Sequence, residues 1–502
     1  MSQLKAGAVL NYMVILLNTI VGLLYTPYML RMMGQSEYGL YALVASVISY
    51  LTILDLGLGN AVIRYTAKFR AEGKQTEQYE MFGMFMVLYL VIGVIALLSG
   101  SILYFNVDIL FGSTMSAIEL DKARIMVAML IFNVAFTFPM SIFGSIITAY
   151  ERFVFPRVVN ITRIILNTVV MICLLHLGYK AVAMVVVQTV FNVLTLLLNY
   201  IYCRRYLKIK MYYKKFRWGF LKEVAIYSFW IFLNVVMDRI YWNSGQFVLG
   251  AMVGTAAVAV FAVAIQLQHM YMQFSSSISG LFLPKVTSMV AIGNDDNALS
   301  DLFIRTGRIQ YIIMALVLSG FIVFGKQFIL LWAGTEYEEA YIICLLFFCA
   351  LLIPLIQNLG ITILQARNQM SFRSILYIII AFIALGAQIL LAGEYGGVGC
   401  AIAIAGALFL GQGIIMNIYY HMKQGLDILL FWKEILKMSV IPFIVCIGAI
   451  FFLRNTTLGN WQSLGVAVVG FAAIYIPLFY RFSMNQSERD MFAKPIRNFF
   501  RK

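Results

Sequence analysis

Charged residues are scarce in this sequence. They make up 12% of the 502 residues, whereas 62% are hydrophobic and the mean hydropathy is +0.89. Globular proteins carry about 25% charged residues, so this composition excludes an ordinary soluble fold. Runs of about 20 apolar residues recur along the chain, and each can cross a bilayer as a helix. They lack the polar–apolar alternation of spanning strands. The sequence therefore predicts an all-α polytopic membrane protein.

The sequence also lacks patterns for catalysis or metal binding. Its three histidines do not cluster, and its six cysteines are scattered without the spacing of a metal site. No GxxxxGK[ST] motif is present, so ATP does not drive this chain directly. No segment between apolar runs is long enough to form a soluble domain. We therefore expect no enzymatic activity, no cofactor and no metal site. A coupling ion for a transporter, Na⁺ or H⁺, is left open.

Fourteen candidate spans follow from the apolar runs. They lie at about 8–30, 38–62, 80–104, 123–149, 158–177, 181–201, 224–251, 256–283, 309–331, 339–365, 374–391, 398–420, 438–453 and 462–480.

The distribution of basic residues predicts the orientation of these spans. With a cytoplasmic N-terminus, 29 of the 37 Lys and Arg residues fall in inside segments, six in outside segments and two within spans. Cytoplasmic loops of membrane proteins carry such an excess. The bias places both termini in the cytoplasm. It also accounts for the net charge of +15 without a nucleic-acid partner.

The most basic segment between spans divides the chain into two halves. We predict an N-lobe at 1–201 with six spans, a basic cytoplasmic linker at 202–223 and a C-lobe at 224–420 with six more. Two further spans and a basic cytoplasmic tail occupy 421–502. Leu17-Asn18 in the first span and Leu233-Asn234 in the seventh indicate that the halves are a repeat. Two six-helix halves with a binding site between them are a recurrent plan of transporters.

Two charged residues, Asp238 and Arg239, lie near the middle of the seventh span, where a charge is costly. Adjacent residues point about 100° apart on a helix, so these two cannot form a good pair with each other. We interpret Arg239 as an anion contact in a central cavity, and Asp238 as a group that orients it or binds a cation. The alternative is a structural role in which neighbouring helices satisfy both residues.

Three more polar residues are candidate substrate contacts. Arg163 lies about one and a half turns into the fifth span, where it could line a cavity or extend to the interface. Asp55, near the inner end of the second span, could contact substrate or form a hydrogen bond between helices. Gly57 and Gly59 follow it and allow another helix to approach closely. Arg64, at the membrane edge, is either an interfacial anchor or a cavity residue.

The stretch Tyr25–Phe69 carries a family pattern. A first span ends in LR-x-x-G-x-x-EYG, and a second ends in LDLGLG-x-A-x-x-R. Residues 147–153 (ITAYERF) and 364–374 (LQARNQMSFRS) extend the match along the chain. This pattern resembles the polysaccharide transporter family, the Wzx-type O-antigen and capsule flippases of the MOP (MATE-like) superfamily.

The resemblance implies a fold and a function. Two six-helix lobes would form a V around a central cavity, with two C-terminal helices appended. The protein would be a multi-pass protein of the bacterial cytoplasmic membrane. By alternating access it would translocate undecaprenyl-pyrophosphate-linked glycan units for polysaccharide biosynthesis. Its partners would be this lipid-linked oligosaccharide, the bilayer and polysaccharide polymerase or assembly proteins. Arginines in the cavity are a family theme, which implies this role for Arg239 and also for Arg163 and Arg64.

Two alternatives remain at this point. The first is a cation-coupled MATE-type exporter of drugs or organic cations, which would favour acidic groups in the cavity. The second is a non-transporting membrane scaffold of a polysaccharide assembly complex, which would not explain two six-span halves without large loops. Because Arg239 is the one cation that lies deep beyond question, we also expect a mostly neutral glycan, with the anchor phosphates as the main charge.

Overall fold

The protein is described by a computed structural model that covers residues 3–213, 218–279, 286, 288–290, 296–367, 369–454, 456 and 458–491. Within these residues the chain is almost entirely helical and contains no β-strand. The helices are α1 (Gln3–Met33), α2 (Gln35–Ser49), α3 (Leu58–Ala71), α4 (Gln75–Phe105), α5 (Val107–Phe111), α6 (Ala117–Ala149), α7 (Val154–His176), α8 (Ala181–Arg205), α9 (Trp218–Met252), α10 (Thr255–Ser279), α11 (Asp296–Trp332), α12 (Ala340–Ile356), α13 (Asn358–Ala366), α14 (Ser371–Leu408), α15 (Met416–Gln424), α16 (Ile428–Leu453) and α17 (Trp461–Phe482). A 3-10 helix (Tyr50–Asp55) follows α2, and a π-helix (Phe409–Ile415) joins α14 to α15.

The long helices confirm an all-α, multi-pass membrane fold. Eleven helical segments of the described chain are long and apolar enough to cross a membrane, or twelve if α12 and α13, which are bent by 40°, form one span. The predicted fourteen would also need α9 and a division of Ser371–Gln424 into two spans. Gly396, at φ 53° and ψ −133°, interrupts that segment. The count of fourteen stays a prediction.

The chain forms two compact units. The N-terminal unit comprises Met1–Ala262 with Ala392–Gly396, and the C-terminal unit comprises Val263–Leu391 with Gly397–Lys502. Helix α9 belongs to the N-terminal unit along its whole length. Near its start, the Tyr65 hydroxyl donates to Glu223 (3.0 Å), and near its end, the Thr114 hydroxyl donates to the Gly250 carbonyl (2.6 Å). The units therefore divide after Ala262 and not in the basic linker. The lobes at 1–201 and 224–420 stay a prediction.

The helix ends of the N-terminal unit alternate between two sides. On one side, Gln78 at the start of α4 donates from Nε2 to the Tyr150 hydroxyl just after α6 (2.9 Å). On the other side, Glu119 at the start of α6 accepts from the Ser36 hydroxyl at the start of α2 (2.5 Å) and from the Thr255 hydroxyl at the start of α10 (2.9 Å). This alternation agrees with the predicted order of spans. Which side is cytoplasmic stays a prediction.

The C-terminal unit contains a buried polar network where two helices are irregular. Pro354 precedes the bend between α12 and α13, and Gln357 lies at the bend. The Gln357 amide donates to Asn417 Oδ1 (2.7 Å), and Asn417 Nδ2 donates to the Gln412 carbonyl of the π-helix (2.7 Å). Trp432 Nε1 also donates to Asn417 Oδ1 (2.8 Å). Asn417 therefore satisfies polar groups that the two irregular helices expose.

Candidate functional site

The second span is broken in the middle. After α2, the residues Tyr50–Asp55 form a 3-10 helix, and then Leu56 and Gly57 both take left-handed conformations at φ 52° and φ 71°. Glycine adopts this conformation without strain, whereas leucine does so at a cost. Helix α3 begins immediately afterwards. The sequence Asp55-Leu56-Gly57 thus stops one helix and starts another at membrane depth, where freed backbone groups must be satisfied by protein or by a polar cavity.

Asp55 lies at this break beside buried polar groups. Asp55 is half-buried, and its carboxyl group lies near the backbone N–H of Gly57 and near the Tyr89 hydroxyl, which makes no hydrogen bond within the described residues. The Tyr89 side chain, from α4, is fully buried. Close packing is possible because Gly59 has no side chain: a Cβ there would lie 3.2 Å from the Ser145 hydroxyl of α6. The close contact at Gly59 is with side chains, so the expected close approach of another helix backbone at Gly57 and Gly59 stays a prediction.

The broken segment also packs against α9, which carries Asp238 and Arg239. Helix α9 contacts α2, α3 and the Tyr50–Asp55 segment. Arg239 lies thirteen residues before the end of the 35-residue helix α9, about 20 Å along the helix axis, and is therefore far from that end of the helix. Asp238 is exposed and Arg239 is half-buried. The buried Arg239 Nε has no hydrogen-bond partner among the residues described.

Of the remaining two candidates, the structure separates Arg163 from this region and leaves Arg64 beside it. Arg163 lies on α7, which packs against α1 and α8. It is half-buried, and its Nη2 donates to Asn160 Oδ1 one turn earlier (3.1 Å). Arg64 is an exposed residue of α3, with its guanidinium 5.8 Å from the centre of the adjacent Tyr65 ring. The five predicted residues therefore fall in the same compact unit. Asp55, Arg64, Asp238 and Arg239 lie on α9 or on elements that contact it, whereas Arg163 does not. Their roles stay predictions.

Sequence reasoning missed Tyr89 and the break itself. The signal for the break was the combination of Asp55 with Gly57 inside one apolar run, which we predicted as a single span at 38–62. Tyr89 gave no signal, because tyrosines are frequent in this chain, which has 29. Within the described ranges, no group of three or more His, Cys, Asp or Glu residues could hold a metal ion.

Comparison with known proteins gives consistent results. A family model described as "Polysaccharide biosynthesis protein" matches residues 4–290. The chain is 20% identical over 500 residues, 97% of each protein, to the uncharacterized membrane protein EpsK of Bacillus subtilis (strain 168). A structure of the lipid II flippase MurJ in an inward closed conformation matches with a TM-score of 0.70 at 17% identity, covering 95% of this chain and 98% of that one. An inward-facing multidrug resistance MATE family transporter of the MOP superfamily matches with a TM-score of 0.60 at 15% identity, covering 82% and 99%. At these identities the likeness to the two structures establishes the fold.

Proposed function

The chain belongs to the polysaccharide biosynthesis protein family, and from this premise we propose that it is a flippase for lipid-linked oligosaccharides. The proposed substrate is an undecaprenyl-pyrophosphate-linked glycan unit of O-antigen, capsule or exopolysaccharide synthesis. It crosses the bacterial cytoplasmic membrane by alternating access, without enzymatic chemistry. A fold shared with a protein named as a lipid II flippase supports a lipid-linked substrate.

Arg239 is the observation that carries this proposal. A guanidinium deep in a spanning helix is costly unless it pairs with a carboxylate, with carbonyl oxygens or with a ligand. Its buried Nε has no partner in the described part of the chain. A pyrophosphate supplies the charge and the acceptor oxygens that a guanidinium prefers. In this proposal, Arg239 contacts the anchor phosphates and Asp238 orients it.

Other parts of the proposal concern location and partners. Both termini lie in the cytoplasm, in keeping with the Lys and Arg bias of the sequence. Polymerase or assembly proteins receive the glycan on the outer side. If Na⁺ or H⁺ drives the cycle, the Asp55 carboxylate at the break in the second span is the acidic group placed to respond to it. Arg163 and Arg64 complete the proposed substrate contacts.

A flipping assay in reconstituted vesicles tests the function. The probe is a polyprenyl-pyrophosphate sugar with a fluorescent tag on the sugar, and the readout is quenching by a reagent that does not cross the membrane. We expect faster movement between leaflets than in protein-free vesicles. No acceleration, together with measured exchange of an organic cation for Na⁺ or H⁺, would favour a MATE-type exporter instead.

The variant Arg239→Ala tests the site. A hydrogen bond to a charged group contributes about 1.5–3 kcal/mol, so we expect a flipping rate lower by about 10- to 150-fold. Cells carrying this variant should lose surface polysaccharide at normal protein levels. Arg239→Lys, which keeps the charge but not the planar guanidinium, should retain part of the activity. Arg124→Ala is the control, because the Arg124 side chain is 39% exposed and already pairs with Asp108. Full activity of Arg239→Ala would exclude the assigned contact.

A further inference from the structure

Helix α1 has a polar stripe on the side opposite its apolar surface. Asn11, Asn18 and Tyr25 are spaced seven residues apart, so at 100° per residue they fall within about 40° of one another. Leu16 and Leu24, which are 62% and 71% exposed, point to the other side of the helix. A surface helix in a membrane turns its apolar side to lipid, and polar residues there turn to protein or to a water-filled space.

Helix α7 has a matching stripe. Asn160, Arg163 and Asn167 fall within about 60° of one another on this helix. Ile165 and Val169, which are 46% and 52% exposed, lie on the other side. The two helices therefore repeat the same arrangement, with an exposed apolar face and an opposite face that carries asparagines.

The two stripes lie side by side at the same depth. Helices α1 and α7 pack against each other. They begin at the same end of the unit, where the Val154 backbone N–H donates to Gln3 Oε1 (3.4 Å). At that end, a Cβ on Gly7 would lie 2.5 Å from Phe153 Cβ. Asn18 lies eleven residues after Gly7, about 16 Å along α1, and Arg163 lies ten residues after Phe153, about 15 Å along α7. Both residues are therefore near the middle of a hydrocarbon core about 30 Å thick.

Hydrogen bonding in the protein leaves most of these groups unsatisfied. Arg163 donates to Asn160 within α7. In the described chain, the side chains of Asn11, Asn18 and Asn167 make no hydrogen bond. The Tyr25 hydroxyl is buried, and it too lacks a partner there. If these asparagines served to hold α1 and α7 together, their side chains would form hydrogen bonds from one helix to the other. Unmet polar groups at membrane depth are instead suited to a ligand that supplies hydroxyls.

We propose that the stripe formed by Asn11, Asn18, Tyr25, Asn160, Arg163 and Asn167 binds the glycan part of the transported lipid-linked oligosaccharide. This inference rests on the proposed function. An asparagine amide both donates and accepts hydrogen bonds, which matches a sugar hydroxyl. Five of the six side chains are uncharged, so the stripe is suited to a neutral sugar rather than to the pyrophosphate. In this proposal the stripe recognises the sugar, and Arg239 recognises the pyrophosphate of the lipid anchor.

Two probes with the same lipid anchor and the same fluorescent tag test the inference. In one, the tag is joined to polyprenyl pyrophosphate through a disaccharide. In the other, it is joined through a spacer of similar length without hydroxyls. Flipping of both is measured in vesicles with the full-length protein and with the variants Asn18→Ala and Asn167→Ala. Asn18→Ser replaces Asn18→Ala if the latter does not accumulate. Ile20→Ala and Val169→Ala, on the apolar sides of the two helices, are the matched controls.

We expect each asparagine variant to lower flipping of the disaccharide probe by roughly two- to tenfold, the range for one lost hydrogen bond. The spacer probe should be unaffected, and the controls should change neither. An unchanged ratio of the two rates in both asparagine variants would overturn the inference and leave the flippase function intact. Equal rates for both probes with the unaltered protein would do the same. If the unaltered protein flips neither probe, the proposed function itself fails.

Discussion

Arg308 on α11 is the centre of a buried ion-pair cluster in the C-terminal unit. Its Nε donates to Glu488 Oε1 (2.6 Å) and its Nη2 donates to Glu488 Oε2 (3.0 Å), which makes a bidentate pair. Its Nη1 donates to Glu434 Oε2 on α16 (2.7 Å). The Arg308 and Glu488 side chains are only 7% and 2% exposed. The cluster therefore fastens α16 and the segment after α17 to α11, and with them the last two spans.

The variant Arg308→Met should lower the free energy of unfolding by about 3–5 kcal/mol, the cost of removing one partner of a buried pair. The cost arises because the Glu488 carboxylate stays buried without its cation. The assay is an SDS titration of the protein in mixed micelles, followed by the loss of helical signal. Lys326→Met is the matched control. Lys326 pairs with Glu338 at 2.7 Å, but these side chains are 51% and 54% exposed, so no measurable change is expected.

A second substitution separates the buried charge from simple loss of packing. In the unaltered protein, the Glu488 carboxylate accepts a hydrogen bond from the backbone N–H of Asn485 (2.9 Å). Glu488→Gln removes the charge but keeps an amide oxygen that can accept the same bond. Combined with Arg308→Met, it should recover much of the lost stability, because no unpaired charge remains. A cost for Arg308→Met below about 1 kcal/mol, typical of exposed pairs, would refute the reasoning. So would a double variant no more stable than Arg308→Met alone.

Two further substitutions test the packing of each unit by the same titration. Gly39→Ala should lower the free energy of unfolding by about 1–3 kcal/mol, because a Cβ there would overlap the Thr255 carbonyl. Gly386→Ala is the control and should be tolerated, because no atom lies within 4 Å of a Cβ at that position. Equal losses of stability in the two variants would contradict the close contact at Gly39. Asn417→Leu should cost about 1–3 kcal/mol for each polar group left buried without its partner, including the Gln357 amide. Unchanged stability of that variant would show that the network at the bend is not needed.

Apolar runs were sufficient to predict most of the fold. They placed the long helices, because a helix that crosses lipid needs about 20 apolar residues and little else. The predicted spans at 224–251 and 256–283, and those at 374–391 and 398–420, follow each other almost without a gap, and the structure breaks the helix near both of these boundaries. Helix α9 ends at Met252 before Gly254, and α14 is interrupted at Gly396. The packing of α9 could not be predicted, because hydropathy carries no information on which helices become neighbours.

The break in the second span was less accessible from the sequence. Asp55 and Gly57 mark it, but glycine is also common in continuous membrane helices. The left-handed conformation of Leu56 (φ 52°) depends on tertiary contacts that hold a strained residue. The π-helix at Phe409–Ile415 was missed for the same reason. Its carbonyls are satisfied by Asn417 from the next turn, and this pairing is visible only in three dimensions.

Arg308 and Arg239 show why a list of membrane cations does not by itself identify a binding site. In the sequence, Arg308 counts as one of many cytoplasmic cations, whereas Arg239 lies inside a span. In the structure Arg308 is buried and has two carboxylate partners. Arg239 is half-buried, and its buried Nε has no partner within the described residues. A fully paired guanidinium stabilises one arrangement of helices. A guanidinium with an unmet donor has binding capacity left for a ligand, so the pairing of each cation, more than its depth, separates a structural role from a functional one.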